Sequence, residues 1–268
     1  MKNVDCRAQA LSRAGLGGGR APLMLRQVHG AKVVTIREGE TLPGAPAAGL
    51  SAAGAAREET PSALIGASGA VREENGMRTE GVRAAPLASQ SAKGTAREED
   101  GLRADGWVST VRGLPVAVYV ADCPPVFLWD RELEAVAVIH AGWKGLAAGV
   151  LRAAVEAFRA IGVPARRLSA AIGPHAGPCC YRVGPELRKY FRAESFIDGP
   201  GAAGAGREEN VLRLDLGAEA QARLVEAGLE PGSVRICADC TICGPEHFFS
   251  YRRDKMDRRI LAFLARPS

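Results

Sequence analysis

Residues 135–161, AVAVIHAGWKGLAAGVLRAAVEAFRAI, decide the fold of this chain. Ala135–His140 is an apolar run of strand-forming residues that ends in a histidine. Glycines then turn the chain, and apolar residues recur at helical spacing from Gly145 to Ile161. A strand, a glycine turn and an amphipathic helix in succession indicate a layered fold in which helices cover a sheet. His140, at the strand end, is a candidate functional residue because ligands often bind where loops leave a scaffold.

The rest of the chain continues this mixed pattern. Runs rich in Val and Ile predict strands at 31–36, 107–110, 115–121, 126–129 and 168–172, and further strands are expected at 233–237 and 247–250. We expect a second helix over Gly217–Ala227, stopped by Gly228, and a terminal helix over Arg258–Leu264. The sequence therefore predicts one α+β, mixed-sheet catalytic domain over residues 1–268.

Two segments interrupt the pattern. Residues 39–104 are rich in Ala, Gly, Arg and Glu, and an Arg-Glu-Glu triplet begins at Arg57, Arg72 and Arg97. Such a composition buries little apolar surface, so we expect a long disordered insertion. Residues 200–210 resemble a smaller insertion of the same kind.

Bulk composition narrows the class of protein. With 268 residues, 47% of them hydrophobic, the chain can bury one sizeable core. A net charge of +5, with much of the arginine beside glutamate, and 5% aromatics disfavour a nucleic-acid partner. The first 22 residues contain no signal-like apolar region, and no run of eighteen apolar residues exists, so we expect a cytoplasmic protein without a membrane partner. Seven cysteines, an odd number, favour free thiols.

Two further motifs place metal-capable groups beside strands. In Asp122-Cys123-Pro124-Pro125, the prolines stop a strand and hold Cys123 at its end. Cys123 is either a small apolar core group or a functional thiol. His29 precedes a glycine and a strand, so its ring either enters a cleft or is an ordinary packed or exposed histidine.

Candidate anion-binding and cysteine-rich segments are less specific. Lys144 lies beside the start of the predicted helix, and Arg252 lies in an arginine pair near the C-terminus; either could bind phosphate or simply face solvent. Cys237, Cys240 and Cys243 superficially suggest an iron–sulfur site, but the fourth cysteine expected before the proline is missing. Cys237 and Cys240 would also face opposite sides of an extended strand, so we expect no metal there.

Together and in order, these motifs resemble the family called multicopper polyphenol oxidases or laccase-like proteins. Its members are now described as purine nucleoside phosphorylases with adenosine deaminase activity. The matching pieces are RQVHG from 26, Asp105 before WVST, ADCPP from 121, VIHAGWKGLAAGVL from 138, IGPHAGPCCYRVG from 172, LDL from 214 and CTICGPEHFFSYRRD from 240. Outside the two insertions, the resemblance covers nearly all of the chain from Gln27 onward.

The resemblance implies the family's layered α/β fold and a zinc site made by His29, Cys123 and His140, which are also the expected catalytic residues. Two imidazoles and a thiolate suit Zn²⁺ and leave a position for water or substrate, although copper is possible. Zinc-activated water could attack C6 of adenine. Phosphorolysis needs a phosphate cradle, for which we expect Lys144, Arg252 and the start of the helix near Gly145, with Asp122 as a further residue of the substrate and phosphate site. The expected partners are phosphate and a nucleoside, which is adenosine, inosine or S-methyl-5′-thioadenosine. The protein itself is expected to be a monomer or a weak dimer.

The chain departs from the family pattern at several positions. A further N-terminal strand region, usual before the part that resembles residues 1–16, is missing, so we expect an unpaired sheet edge. His175 stands where a cysteine is common, Arg182 replaces a glutamate, and Met256-Asp257 replaces Thr-Gly. None of these changes removes an expected zinc ligand.

Three alternative functions remain open at this stage. A copper-dependent polyphenol oxidase would need more imidazoles than four histidines provide for a multicopper cluster, although one copper is conceivable. In a cysteine hydrolase, Cys123 would be the nucleophile and His140 the base, as suggested by relatives implicated in peptidoglycan precursor editing. In a binding protein, the repeat-bearing insertion would recruit a partner.

Overall fold

The computed structural model of this chain describes residues 23–40, 102–199 and 211–267. The insertion predicted at 200–210 and most of that at 39–104 lie outside these ranges, as does the segment before residue 23, so the disorder and the sheet edge expected there remain predictions. The end of the long insertion is nevertheless part of the fold. Arg103 pairs with Arg26 in a β-bridge, and Ala104 is fully buried.

Eleven strands form the described β-structure. They are β1 (Leu23–Met24), β2 (Val33–Ile36), β3 (Gly106–Ser109), β4 (Pro115–Val120), β5 (Pro125–Asp130), β6 (Val136–His140), β7 (Leu168–Ile172), β8 (Phe196–Ile197), β9 (Arg213–Leu214), β10 (Val234–Ile236) and β11 (Ile260–Ala265). A six-stranded sheet has the order β10-β7-β5-β6-β3-β2, a three-stranded sheet has the order β1-β4-β11, and β8 pairs with β9. Parallel and antiparallel pairs coexist in both larger sheets, which confirms the mixed-sheet α+β class.

Four helices cover or flank the sheets: α1 (Trp143–Ala148), α2 (Val150–Ala160), α3 (Leu216–Glu226) and the short α4 (Tyr251–Asp254). Short 3₁₀ segments lie at Ala165–Arg167, Pro185–Lys189, Ala193–Ser195 and Pro231–Ser233. Within the described ranges, none of the helices is both long and apolar enough to span a membrane.

Strand β6 explains why the molecule has layers. Its five residues are all buried, and successive side chains point to opposite faces of the sheet. Ala137 and Ile139 belong to a core cluster that includes the buried face of α2, whereas Val136 and Val138 pack in a second cluster with residues of β4. The six-stranded sheet is therefore covered by helices on one face and by the small sheet on the other, and both faces need apolar side chains.

The helix predicted from Gly145 to Ile161 is two helices. Gly149 separates α1 from α2, with φ +86°, and its N–H donates back to the carbonyls of Gly145 and Leu146. A left-handed glycine ends a helix in this way because it carries no Cβ. The apolar periodicity continues across the break, which is why it did not reveal the interruption.

The C-terminal predictions were wrong. The helix expected over Arg258–Leu264 is strand β11, which runs antiparallel to β4. A short, nearly continuous apolar run fits a buried strand as well as a buried helix, and its partner is far away in the sequence. The strand expected at 247–250 is also absent, because this segment is a turn and a loop that lead into α4. The strand at 168–172 is confirmed residue for residue.

Candidate functional site

The end of β6 and the connection from β4 to β5 place Cys123 and His140 side by side. Pro125 pairs with His140 across the sheet, and the Ala141 N–H donates to the Pro124 carbonyl at 3.0 Å. Gly142 lies between the Cys123 and His140 side chains. A Cβ at this position would lie 2.9 Å from the Cys123 sulfur and 3.2 Å from Cε1 of His140. The thiol and the imidazole therefore converge on a position where only glycine leaves enough space.

His29 approaches the same place from the loop before β2. Its ring lies edge-on to the His140 ring, with centroids 5.1 Å apart. The buried Asp105 carboxylate holds this loop by accepting backbone N–H groups from Val28 at 3.0 Å, His29 at 2.6 Å and Gly30 at 2.8 Å. The Asp105 carbonyl also accepts the His140 N–H at 2.8 Å. One residue thus fixes the backbone of both histidines.

Sequence reasoning matched Asp105 to a motif but gave it no role. Its three carboxylate contacts lie 75 to 77 residues away along the chain. An acidic residue just before a buried strand is the one feature of the sequence that could have indicated this role, and it is a weak indication.

Burial sets the protonation of the two side chains beside Gly142. Burial, and then the nearby His29, lower the pKa of His140 to about 4. The ring is therefore neutral near pH 7, and its buried Nδ1 has no hydrogen-bond partner. Burial, followed by Asp122, raises the pKa of the Cys123 thiol to about 12, against the opposing effect of Arg252 and Arg259. A cation at this position would stabilise the thiolate and could use an imidazole lone pair, so the donor set fits a metal ion.

Asp122 connects this site to the C-terminal part of the fold. Its backbone has a positive φ of 81°, which is strained for a residue other than glycine. One carboxylate oxygen accepts the Thr241 hydroxyl at 2.8 Å, and the other accepts the Arg252 N–H at 2.6 Å. The Asp122 carbonyl accepts the Ala176 N–H at 2.9 Å. Asp122 therefore uses its carboxylate to hold the chain around Cys123.

The cationic side of the site is formed by Arg252 and Arg259, whose charges act on the Cys123 thiol. The Arg252 guanidinium lies 4.7 Å from the centre of the Tyr181 ring and donates to the Arg182 carbonyl at 2.9 Å. Burial, and then the nearby Cys123, raise the pKa of Tyr181 to about 12, although Arg252 opposes this. Tyr181 is thus a buried phenol of this site that sequence reasoning did not single out beyond its motif.

Lys144 is exposed, with its ammonium 5.7 Å from the centre of the Trp143 ring. It lies in the first turn of α1, and this turn packs against the His29 loop. A Cβ on Gly145 would lie 3.0 Å from the Gly30 carbonyl oxygen. Lys144 therefore lies beside the loop that carries His29, with an exposed side chain.

Two other histidines belong to different surroundings. His175 is buried, its Nδ1 lies 2.9 Å from the Gly173 carbonyl oxygen, and a Cβ on Gly217 would lie 2.7 Å from its Nε2. His247 is exposed and packs edge-on against the Phe248 ring. Each has a structural explanation, and neither is needed to account for the arrangement around Gly142.

A second group of metal-ligating side chains lies in the C-terminal half. The sulfurs of Cys179, Cys180, Cys240 and Cys243 all lie within 4.8 Å of one another. Among the described residues, this group meets that spacing, whereas His29, Cys123 and His140 are gathered less tightly. The run at 237–243 lacks a fourth thiol, which is why its pattern alone predicts no metal there. In the fold, the partners of Cys240 and Cys243 come from another loop.

Residues 75–266 match a family model described as "Multi-copper polyphenol oxidoreductase laccase". A purine nucleoside phosphorylase of Xylella fastidiosa is 38% identical over 155 residues, 58% of each chain. A protein named adenosine deaminase RL5, from an unknown prokaryotic organism, is 32% identical over 155 residues, 56% of each chain. The crystal structure of the Bacillus licheniformis hypothetical protein YfiH superposes with a TM-score of 0.56 at 31% identity, over 63% of this chain and 64% of that one.

The match thus covers roughly three fifths of the length of these curated relatives. The two relatives carry the names of enzymes that act on nucleosides, and the family description names a copper enzyme. The family model covers more than half of the residues and includes the motifs around Cys123, His140 and Arg252. The chain therefore belongs to the family described as multi-copper polyphenol oxidoreductase laccase.

Proposed function

We propose that this chain is a zinc-dependent purine nucleoside phosphorylase that also deaminates adenosine. The observation that carries the proposal is the buried His140 imidazole, neutral and without a partner for Nδ1, beside the Cys123 thiol and the His29 ring. Two imidazoles and a thiolate are a donor set that zinc prefers. The names of two relatives, a purine nucleoside phosphorylase and an adenosine deaminase, support the substrate class.

In this proposal His29, Cys123 and His140 hold the ion, which when bound supplies Lewis-acid chemistry. The chain prepares its ligands in advance. Asp105 fixes the His29 loop through three N–H bonds, and the missing side chain at Gly142 leaves room for the sulfur and the ring. Such support orients the ligands and limits the entropy lost when the ion binds.

The cationic side of the site provides for phosphate. In phosphorolysis an oxygen of phosphate bonds to C1′ of the ribose while the bond from C1′ to the base breaks. Arg252, held against Tyr181 and the Arg182 carbonyl, is the guanidinium that we propose binds phosphate, and the exposed Lys144 adds a second positive charge. Both can bind the dianion and its developing charge. Asp122 acts as a positioning residue because its oxygens bond to Thr241 and Arg252.

The substrates we propose are adenosine, inosine and S-methyl-5′-thioadenosine, with no nucleic-acid or membrane partner. A monomer or weak dimer in a reducing, cytoplasmic compartment is part of the same proposal. All six described cysteines are free thiols, which suits such a compartment.

Two alternatives are weaker on specific observations. For a polyphenol oxidase, His175 packs in the core and His247 packs against Phe248, which leaves two imidazoles for a single copper at most. For a cysteine hydrolase, a thiol whose pKa is raised to about 12 by burial is a poor nucleophile, and an imidazole whose pKa is lowered to about 4, also by burial, is a weak base. The partner-recruiting alternative depends on residues 41–101, outside the described part.

The test is chromatography of adenosine incubated with the purified chain, with and without phosphate. We expect phosphate-dependent adenine and ribose 1-phosphate, together with phosphate-independent inosine. Cys123→Ala should abolish both, whereas the matched control Cys237→Ala should retain them. Turnover that survives in Cys123→Ala, or none in a folded, zinc-loaded wild-type chain, would contradict the proposal.

A further inference from the structure

Four cysteines outside the proposed catalytic site meet where two loops are joined by backbone hydrogen bonds. The first loop follows β7 and carries Cys179 and Cys180; the second follows β10 and carries Cys240 and Cys243. The Thr241 N–H donates to the His175 carbonyl at 2.9 Å, and His175 pairs with Cys240 in a parallel bridge. The thiols are therefore brought together by the fold itself.

The spacing of the sulfurs is that of a tetrahedral metal site. A Zn–S bond of about 2.3 Å puts the sulfurs of a tetrahedron about 3.8 Å apart. The Cys243 sulfur lies 3.3 Å from that of Cys180 and 3.6 Å from that of Cys179, and all four lie within 4.8 Å of one another. Small adjustments of the side chains suffice to reach ideal spacing.

A backbone N–H group is directed at one of the sulfurs. The Gly177 N–H donates to the Cys240 sulfur at 3.3 Å. Such a donor compensates part of the negative charge of a thiolate ligand. This contact is a second observation, independent of the spacing, that favours a charged sulfur here.

Cys237 supplies an internal contrast. It belongs to the same Cys-x2-Cys-x2-Cys run, yet its sulfur contacts Asp239 at 3.5 Å and it is not part of the cluster. The cluster thus selects two of the three thiols of the run and takes its other two from the Cys179–Cys180 pair. The run alone lacks a fourth ligand, and the fold provides it.

We propose that Cys179, Cys180, Cys240 and Cys243 bind one structural zinc ion, separate from the ion proposed at His29, Cys123 and His140. Four thiolates fill the coordination sphere of zinc and leave no open position, as in sites that stabilise folds. Binding releases the thiol protons, because the ligands must be thiolates. No oxidant is needed.

The position of this ion explains what it would stabilise. Thr241 follows Cys240 and donates to Asp122, the residue before Cys123. Tyr181 follows Cys180 and stacks with Arg252. The zinc would therefore lock together the two loops that hold the cationic side of the catalytic site, without touching substrate.

The first experiment measures zinc per chain by mass spectrometry in the full chain, purified from zinc-supplemented cells under reducing conditions. We expect two equivalents in the wild type and one in Cys123→Ala. Cys240→Ser and Cys243→Ser should also lose one, whereas the matched control Cys237→Ser should keep both. Loss of zinc in Cys123→Ala alone would reject the four-cysteine site and leave the catalytic proposal intact. Loss of zinc in the cluster variants alone would support the four-cysteine site and reject the zinc ion proposed at His29, Cys123 and His140.

A second measurement does not depend on whether the serine variants fold. The Cys123→Ala variant retains all four thiols of the cluster. Its cysteines are alkylated with and without bound zinc, and the alkylated positions are identified by mapping the peptides. Zinc should protect Cys179, Cys180, Cys240 and Cys243 but not Cys237. Cobalt replacing zinc should produce strong thiolate-to-metal absorption. The proposal would be overturned by equal alkylation in both samples or by bound iron in place of zinc. It would also be overturned by a Cys180–Cys243 disulfide in protein that is kept under reducing conditions.

Discussion

The two groups of metal-ligating side chains differ in how the chain builds them. His29, Cys123 and His140 come one at a time from three separate segments beside buried strands. The four cysteines come in pairs from two loops, and Cys243 is exposed. The first proposed site would have three ligands, which leaves a place for substrate, whereas the second would have four and be closed. The number of ligands thus separates a site suited to chemistry from one suited to stability.

The two groups also differ in what supports them. The group of His29, Cys123 and His140 depends on a buried carboxylate, since Asp105 accepts three N–H groups from the His29 loop. In the cluster, the Gly177 N–H donates to the Cys240 sulfur itself. In the first case the chain orients a ligand, and in the second it neutralises ligand charge. Variants that remove one kind of support should leave the other site intact.

The largest effect is expected for His140→Ala. This change removes one proposed ligand and leaves a small space at the end of β6. We expect phosphorolysis to fall by more than about 100-fold, because loss of an outer partner of a metal ligand already costs roughly 10–100-fold. Zinc content should fall by one equivalent. His247→Ala, at an exposed histidine outside both sites, is the control. Equal activity in the two variants would contradict a role for His140 in the site with three proposed ligands.

The next largest effect is expected for Asp105→Asn. The amide keeps the volume but presents NH₂ where a carboxylate oxygen accepts an N–H, which leaves at least one buried donor unsatisfied at a cost of about 1–3 kcal/mol. Activity should fall roughly 10–100-fold as His29 loses its position. The measurement is kcat/KM together with zinc affinity and the free energy of unfolding.

The control for Asp105 is Asp130→Asn. Asp130 is equally buried and bonds to Arg167 at 2.9 Å, but it lies at the other end of β5 from Pro125, the partner of His140. It should lose stability with little loss of zinc affinity. If both variants lose zinc affinity to the same extent, the loss reflects general destabilisation and not the His29 loop.

The sequence predicted most of this fold because its strands are rich in Val and Ile and are bounded by Gly and Pro. It failed at β11, where the pairing with β4 decides between strand and helix. It also missed the break at Gly149, because apolar periodicity continues through it. Local patterns carry the elements, and long-range pairing settles the ambiguous ones.

The candidate site was predictable only in part. The three motifs with His29, Cys123 and His140 could be recognised through their resemblance to a family, while each was ambiguous alone. The roles of Asp105 and Tyr181 depend on contacts between distant segments, which no local pattern encodes. The four-cysteine cluster was missed for the same reason, since the thiols of Cys180 and Cys243 are 63 residues apart.

Two glycine substitutions compare the tightness of the sites directly. In Gly142→Ala the Cβ would lie 2.9 Å from the Cys123 sulfur, although the backbone, at φ −64°, accepts alanine. In Gly177→Ala the nearest atom would be the Cys240 Cβ at 3.2 Å, with the Cys179 sulfur at 3.4 Å. We expect Gly142→Ala to lower kcat/KM about tenfold or more, since overpacking costs about 1–3 kcal/mol.

Gly177→Ala should instead reduce the zinc retained at the cluster and lower the melting temperature. Its effect on kcat/KM should be smaller than that of Gly142→Ala. Gly232→Ala, in open space, serves as the control for glycine replacement as such. A larger loss of kcat/KM in Gly177→Ala than in Gly142→Ala would reverse the assignment of the two sites to chemistry and stability.

The smallest effect is expected for Thr241→Val, which tests the connection between the two sites. Valine keeps the shape of the buried threonine but removes the hydroxyl that donates to Asp122 at 2.8 Å. Loss of a hydrogen bond to a charged group costs about 1.5–3 kcal/mol. The Arg252 N–H still bonds to the other carboxylate oxygen, so kcat/KM should fall less than about tenfold, with both zinc equivalents retained. Thr110→Val, beyond the end of β3 away from Asp105, should leave kcat/KM unchanged. Loss of zinc from the cluster in Thr241→Val would mean that the two sites cannot be separated, because the bond to Asp122 would then be holding the cysteine loop as well as the Cys123 turn.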